Sequence, residues 1–303
     1  MSMKAQNIKQ SNPKPAATVI LTREHAGELQ VYLLKRAATS GFMAGNYVFP
    51  GGMVDAEDRN FQLWKDCVDL DRDEIVRQLG GRLSTEDALA FSVAAIRETL
   101  EEAGVFFAHP QKPSVGNLER IRKLRLTPNL PNDWLKALAL SERWLLAISK
   151  LFPWSHWITP ELMSRRFDTR FFLAKMPPDQ VCHPDTRETT HGLWISPQEG
   201  LVGNLSGDMP LSPPTLITLH ELLNYQDLDS LIKEAEIKQW GKPFLPRLIP
   251  LDRGAVIVEP WDSMYNQKEI QLNNDKLANT VLPVGESFSR IWYNDGIWRP
   301  VKS

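Results

Sequence analysis

Arg97-Glu98-Thr99-Leu100-Glu101-Glu102-Ala103-Gly104 is the stretch on which the reading of this chain turns. It closes the clearest helical pattern in the sequence. Ser84 is placed to cap that helix, Asp87 supplies the acidic partner of a capping box, and Gly104 suits the C-terminal stop. At about 100° per residue, Glu98, Glu101 and Glu102 fall within about 100° of arc on one face. Ala94 and Ala95 lie one turn earlier and leave room above that face. Leu89, Val93, Ile96, Leu100 and Ala103 form a core-facing stripe behind it. Like charges at these spacings destabilise a lone helix by roughly a few tenths of a kcal/mol each. A hard divalent cation, Mg²⁺ or Mn²⁺, would relieve that repulsion through oxygen ligands. Three glutamates alone would also suit an ordinary solvated acidic face. The full pattern is more specific, because chance matches to it arise in roughly a few per ten thousand chains of this size.

Upstream of that helix, residues 17–21 and 29–34 read as strands joined by a turn at Glu24-His25-Ala26-Gly27. A glycine-bearing loop leads through Tyr47-Val48-Phe49 into Pro50-Gly51-Gly52. Residues 59–83 read as an inserted helix and loop. Downstream, helical patterns recur around residues 118–126, 132–151 and 214–223. Strands are expected at 170–174, 192–195, 255–258 and 290–301, the last folding back at Asn294-Asp295-Gly296.

The 303 residues suffice for one large domain or two small ones, and 42% apolar with 24% charged residues is an ordinary globular composition. The net charge of −2 supplies no global field for nucleic acid or an anionic membrane, so neither is expected as a partner. No basic stripe with interleaved aromatics is present. Cys67 and Cys182 stand far apart and suit buried thiols in a reducing compartment. The polar N-terminus has no signal-peptide core, no run of 18 apolar residues occurs, and the Pro-Val-Lys-Ser ending is not a peroxisomal one, so the cytoplasm is the expected location. Residues 1–15 read as a disordered lead-in.

Gly-Gly after a strand, followed by Arg-Glu-x-x-Glu-Glu-x-Gly on a helix, resembles the signature of the Nudix hydrolases. Gly52 fits its first position, Val105 its last, and Asp58 stands where its first Glu belongs. Two departures stand out: 38 residues instead of seven separate Asp58 from Arg97, and Thr99 replaces an aliphatic residue. The resemblance implies an α+β Nudix fold, an α/β/α sandwich around a mixed β-sheet. It would occupy residues 16–235, with helical insertions at about 59–83 and 110–160 and a β-rich extension at 236–303 packed on the same domain. It further implies a Mg²⁺- or Mn²⁺-dependent pyrophosphohydrolase acting on a small nucleotide. Glu101, Glu102 and the Gly51 carbonyl would hold the metal, Glu98 would be a further ligand or the general base, and Arg97 would hold a glutamate by an ion pair.

The inserted box, Leu33-Leu34-Lys35-Arg36, Gly45 through Gly52, Trp157-Ile158-Thr159-Pro160 and Arg166 through Phe172 resemble one branch, the coenzyme A diphosphatases. That branch splits coenzyme A or acyl-CoA into 3′-phosphoadenosine 5′-phosphate and (acyl-)phosphopantetheine. Lys35, Arg36 and Gly52 are then candidates for substrate contacts, and Glu188 for a late metal ligand. Arg165, Arg166 and Arg170 form a second candidate anion site, with local pairing to Glu161 or Asp168 as the alternative. Arg120, Arg122, Lys123 and Arg125 read as a solvated helix face. Trp154 and Trp157 read as core, or as a platform for adenine or an acyl chain. A Nudix enzyme for ADP-ribose or NADH, and a non-catalytic Nudix-like ligand sensor, are the competing readings; the retained glutamates speak against the sensor.

Overall fold

The computed structural model describes residues 11–38, 43–111, 118–185, 189–270, 272 and 274–303. The N-terminal half runs β1 (Lys14–His25), β2 (Glu28–Arg36), β3 (Tyr47–Val48), β4 (Gly51–Met53), α1 (Phe61–Trp64), α2 (Arg72–Ile75) and α3 (Thr85–Ala103). It continues through β5 (Ala108–Pro110), α4 (Leu118–Leu124), α5 (Trp134–Glu142), β6 (Trp144–Leu146), β7 (Phe152–Ile158), β8 (Phe167–Lys175) and β9 (Thr189–Ile195). Helices α6 (Pro197–Ser206), α7 (Pro213–Leu222) and α8 (Leu228–Ile237) follow. Last come β10 (Arg247–Pro250), β11 (Ala255–Val258), β12 (Arg290–Asn294) and β13 (Ile297–Val301).

The main sheet has the order β3-β2-β1-β8-β7, with β4 also paired to β1 and β9 to β2. β1 runs parallel to β8 and antiparallel to β2 and β4, so the sheet is mixed. Strand alternation divides the core between its two faces. Ala17, Val19 and Leu21 join Tyr32, Leu34, Phe172 and Ala174 in a cluster with α3. Ile20, Val31, Leu33, Phe171 and Leu173 pack on the other side with Leu216 and Leu219 of α7 and Leu231 of α8. The result is the expected α/β/α sandwich. Each fully buried leucine, isoleucine or phenylalanine contributes about 1.5–3 kcal/mol.

Several elements differ from the sequence-based expectation. β1 begins at Lys14, inside the stretch read as lead-in, because Lys14 and Pro15 are aligned with Phe167 and Asp168 of β8. The helix expected over 132–151 stops at Glu142, where Arg143 takes a left-handed conformation (φ 51°) and β6 pairs with β5. The apolar run Trp144–Leu146 satisfies a short ladder as well as a helix face, and β5 decides between them. β7 and helices α6 and α8 were not anticipated. Residues 59–83 form two short helices and a π-helical turn (Val76–Gly80). Their Trp64, Cys67, Val68, Ile75 and Leu79 are buried in the same cluster as α3. Among the described residues no helix is long and apolar enough to cross a membrane.

The C-terminal strands make a four-stranded antiparallel sheet, β10-β11-β12-β13, turned at Asp295-Gly296 with positive φ at both, as the sequence pattern requires. Asn204 of α6 ties it down, donating to the Trp298 carbonyl at 2.8 Å while accepting from the Leu211 amide at 2.9 Å. Just after β11, Glu259 is fully buried, and neither carboxylate oxygen has a hydrogen-bond partner. Burial pushes its carboxyl up to about 8. The unfolded chain loses this proton near 4.5 but the folded chain holds it to about 8, so this group's contribution to stability falls as pH rises through that window. Thermal melts of the wild type should therefore lose stability between pH 5 and 8.5 with a slope approaching ~1.4 kcal/mol per unit from this group. Glu259→Gln should flatten that slope. Parallel profiles for the two proteins would exclude a neutral buried Glu259.

Candidate active site

α3 starts where the sequence places it, with Ser84 Oγ accepting from the Asp87 amide at 3.0 Å. Only half of a capping box forms, since the Asp87 carboxylate accepts from the Ser84 hydroxyl, also at 3.0 Å, and not from its amide. Gly104 ends the helix in the left-handed region (φ 71°). The helix is buried almost all round, Ala94 and Ala95 included, and residues from the 59–83 and 118–151 stretches share its core cluster. Thr99 loses nothing by replacing an aliphatic residue, since its buried hydroxyl donates to the Ala95 carbonyl at 2.7 Å.

The Gly51-Gly52 strand lies against the last turns of α3. The Gly51 amide donates to Glu102 Oε2 at 2.9 Å. A Cβ on Gly52 would fall 2.4 Å from Glu98 Oε1, and one on Gly51 would fall 2.4 Å from the Ala17 carbonyl oxygen. Close approach to the β1 backbone requires glycine at position 51, and a side chain at position 52 would have to displace the Glu98 carboxylate.

Arg97 is the centre of the constellation. Its Nε and Nη2 donate to both oxygens of Asp58, at 3.0 and 2.8 Å, and Nη2 also reaches the Met53 carbonyl at 2.8 Å. Its Nη1 donates to Glu98 Oε1 at 2.9 Å and to Glu101 Oε2 at 3.0 Å. Burial alone would lower the guanidinium pKa, but the Asp58 bonds and the charges of Glu98, Asp58 and Glu101 outweigh it and raise it. Asp58 is only 2% exposed and meets Arg97 although 38 residues separate the two in the sequence. Burial pushes the Glu98 carboxyl up to about 7; Arg97 opposes this and the charge of Glu101 adds to it.

Glu98, Glu101, Glu102, Arg97, Gly51 and Gly52 are therefore brought together. Lys35 and Arg36 are not joined to them by any described bond. They end β2, where Lys35 Nζ lies 5.5 Å from the Tyr47 ring centre and Arg36 Nε is buried without a hydrogen bond. Glu188 lies outside the described residues. Arg166 and Arg170 form no joint anion site: Arg166 donates to the Thr159 and Ser11 carbonyls, while Arg170 is wedged over Phe91 and Trp240. Trp154 and Trp157 are buried, against Tyr225 and Phe244 respectively, which is the core role.

Two contributors escaped the sequence. Arg125, read as part of a solvated face, is 5% exposed and donates to the Glu101 and His183 carbonyls, the latter at 2.6 Å. Trp134 Nε1 donates to Glu101 Oε1 at 2.9 Å. Neither carries a local signal. Both act on a helix more than twenty positions away.

The donor set is made of carboxylate oxygens and suits a hard divalent cation. A carboxylate has about four lone-pair sites, so the two bonds accepted by Glu101 leave acceptor capacity for an ion. No three His, Cys, Asp or Glu side chains among the described residues are already gathered as a shell. Arg97 draws Glu98 and Glu101 together from one side while Glu102 turns to the Gly51 amide.

Residues 76–222 match the family described as the NUDT19 Nudix domain. The chain is 27% identical over 310 residues to the acyl-coenzyme A diphosphatase NUDT19 of Homo sapiens, covering 86% of this chain and 80% of that protein. It is also 27% identical over 300 residues to a putative nudix hydrolase 7 of Caenorhabditis elegans, covering 96% and 89%. Among solved structures, a NUDIX hydrolase from Alicyclobacillus acidocaldarius shares the fold, with a TM-score of 0.57 and 24% identity over 76% of this chain and 99% of that one.

Proposed function

We propose that the chain is a Nudix pyrophosphohydrolase that cleaves the diphosphate of coenzyme A or an acyl-CoA, using Mg²⁺ or Mn²⁺. The products would be 3′-phosphoadenosine 5′-phosphate and (acyl-)phosphopantetheine. The observation that carries the substrate reading is the similarity over most of the chain to relatives named acyl-coenzyme A diphosphatases. Residues 16–235 are read as the hydrolase domain, the stretches 59–83 and 110–160 as inserts framing its cleft, and 236–303 as an extension on the same domain.

Glu101, Glu102, the Gly51 carbonyl and, as a further ligand, Glu98 are the residues that would hold the cation. When bound, it would neutralise the diphosphate and acidify a water beside it. Arg97 keeps Glu98 and Glu101 on one side of the cleft, and Asp58 keeps Arg97 there. Glu98 is a candidate base, since a carboxyl poised near 7 can hold or release a proton at working pH. Water oxygen adds to one phosphorus, the bridging P–O bond breaks, and the water's proton passes to the base. Gly52, whose backbone lies directly against Glu98, is a candidate for a main-chain contact to substrate, and Lys35 and Arg36 at the end of β2 are candidates for its phosphates.

The test compares coenzyme A, 3′-dephospho-coenzyme A and ADP-ribose under one metal condition, with products identified by mass. A charge-assisted bond to the 3′-phosphate is worth roughly 1.5–3 kcal/mol. Coenzyme A should therefore lead in kcat/KM by on the order of ten- to a hundredfold. Equal or better turnover without the 3′-phosphate would remove the substrate assignment and leave the pyrophosphohydrolase standing.

A further inference from the structure

The two insertion helices converge on a single residue of the catalytic helix. Arg125, just beyond α4, grips the main-chain carbonyl of Glu101, and Trp134, the first residue of α5, grips its side chain. Both oxygens of that carboxylate are thereby held, Oε2 by Arg97 at 3.0 Å and Oε1 by Trp134 at 2.9 Å. The two donors differ in kind. Arg97 brings a full positive charge, whereas an indole N–H directs an oxygen without neutralising it. A ligand for a divalent cation needs its charge retained and its rotamer fixed, and a neutral donor on a rigid ring supplies both. Trp134 is itself 6% exposed and held among Leu135, Leu138 and Ala139, while the Glu101 side chain remains 32% exposed. Without the indole, that one-third-exposed carboxylate would have one anchor and a solvent-facing alternative.

We propose that Trp134 is a positioning residue of the metal centre, orienting the Glu101 carboxylate for a divalent cation, and that the 110–160 insertion thereby completes the site it covers. This rests on the reading of Glu101 as a metal ligand. It assigns the insertion a part in cation affinity as well as in burial of α3. No polar contact of α5 other than this one reaches the carboxylates of α3 among the described hydrogen bonds.

The experiment is calorimetric titration of the full chain with Mn²⁺ alone, on wild type, Trp134→Phe, Glu101→Gln and the double variant. Loss of the partner that orients a metal ligand should weaken Mn²⁺ binding in W134F by about ten- to a hundredfold. E101Q should weaken it more, and W134F should add nothing in the E101Q background, because its effect passes through that carboxylate. Leu138→Ala, a packing change on the same helix, should lower the melting temperature but leave Mn²⁺ affinity unchanged. Should W134F fail to fold, Trp134→His, which retains a ring N–H, carries the same comparison and should bind Mn²⁺ closer to wild type than Trp134→Ala does. Wild-type affinity in W134F beside weakened binding in E101Q would overturn the role of Trp134 alone. Wild-type affinity in E101Q would overturn the ligand reading beneath it.

Discussion

Glu102→Gln is expected to lower turnover by at least about a hundredfold, and by as much as about a thousandfold, at saturating Mg²⁺. The substitution is nearly isosteric. Its amide oxygen can still accept from the Gly51 N–H, so the bond that seats the glycine strand on α3 survives. What goes is one negative charge from a side chain 5% exposed beside Glu98 and Glu101. Removing like charge at i,i+4 favours the helix by a few tenths of a kcal/mol, roughly, so the melting temperature should hold or rise slightly. The check is paired: steady-state hydrolysis of coenzyme A and a thermal melt on the same preparation. Turnover within tenfold of wild type would remove Glu102 from the metal set. A large fall in melting temperature would mean that its charge is structural.

Arg97→Met should have the largest effect on stability. It leaves Asp58 buried with neither of its guanidinium bonds, and breaking such a pair from one side costs about 3–5 kcal/mol. At this chain length that corresponds to a fall of on the order of 10 °C in melting temperature. Glu98 softens the blow, because a carboxyl already pushed up to about 7 takes up a proton easily once Arg97 is gone. Adding Asp58→Asn removes the stranded charge, so R97M/D58N should recover part of the loss in a urea titration, with activity still absent. An R97M midpoint matching wild type would mean that the network is ornamental to the fold.

Much of the centre was legible because its signals are local. Ser84, Gly104 and the spacing of Glu98, Glu101 and Glu102 each act within one helix, and Asp295-Gly296 acts within one hairpin. Partners across the fold were harder to see. Nothing around Trp134 or Arg125 distinguishes a residue reaching Glu101 from one facing water; only the placement of α4 and α5 over α3 does that. The stretch 144–146 failed for the opposite reason, since a short apolar run fits helix and strand alike until β5 claims it. β7 was hidden by aromatic and proline residues that suited a loop or a stacking platform. Lys35 and Arg36 lie at the end of β2, one residue pair beyond the strand read from the sequence, because β9 and β3 extend the pairing there.

The splitting of the box has a consequence for how the site comes to exist at all. Closing a flexible loop grows dearer only with the logarithm of its length, by about 0.6 kcal/mol per doubling. Stretching the Asp58–Arg97 connection from seven intervening residues to 38 is roughly two and a half doublings, or about 1.5 kcal/mol of chain entropy. Loop closure alone is therefore a small cost, and the burial of Trp64, Ile75 and Leu79 works against the larger entropy of ordering the insert itself. Its kinetic character changes more. The Asp58–Arg97 contact spans 39 positions, and it belongs to the non-local class whose loop closure must be met before the contact stabilises anything.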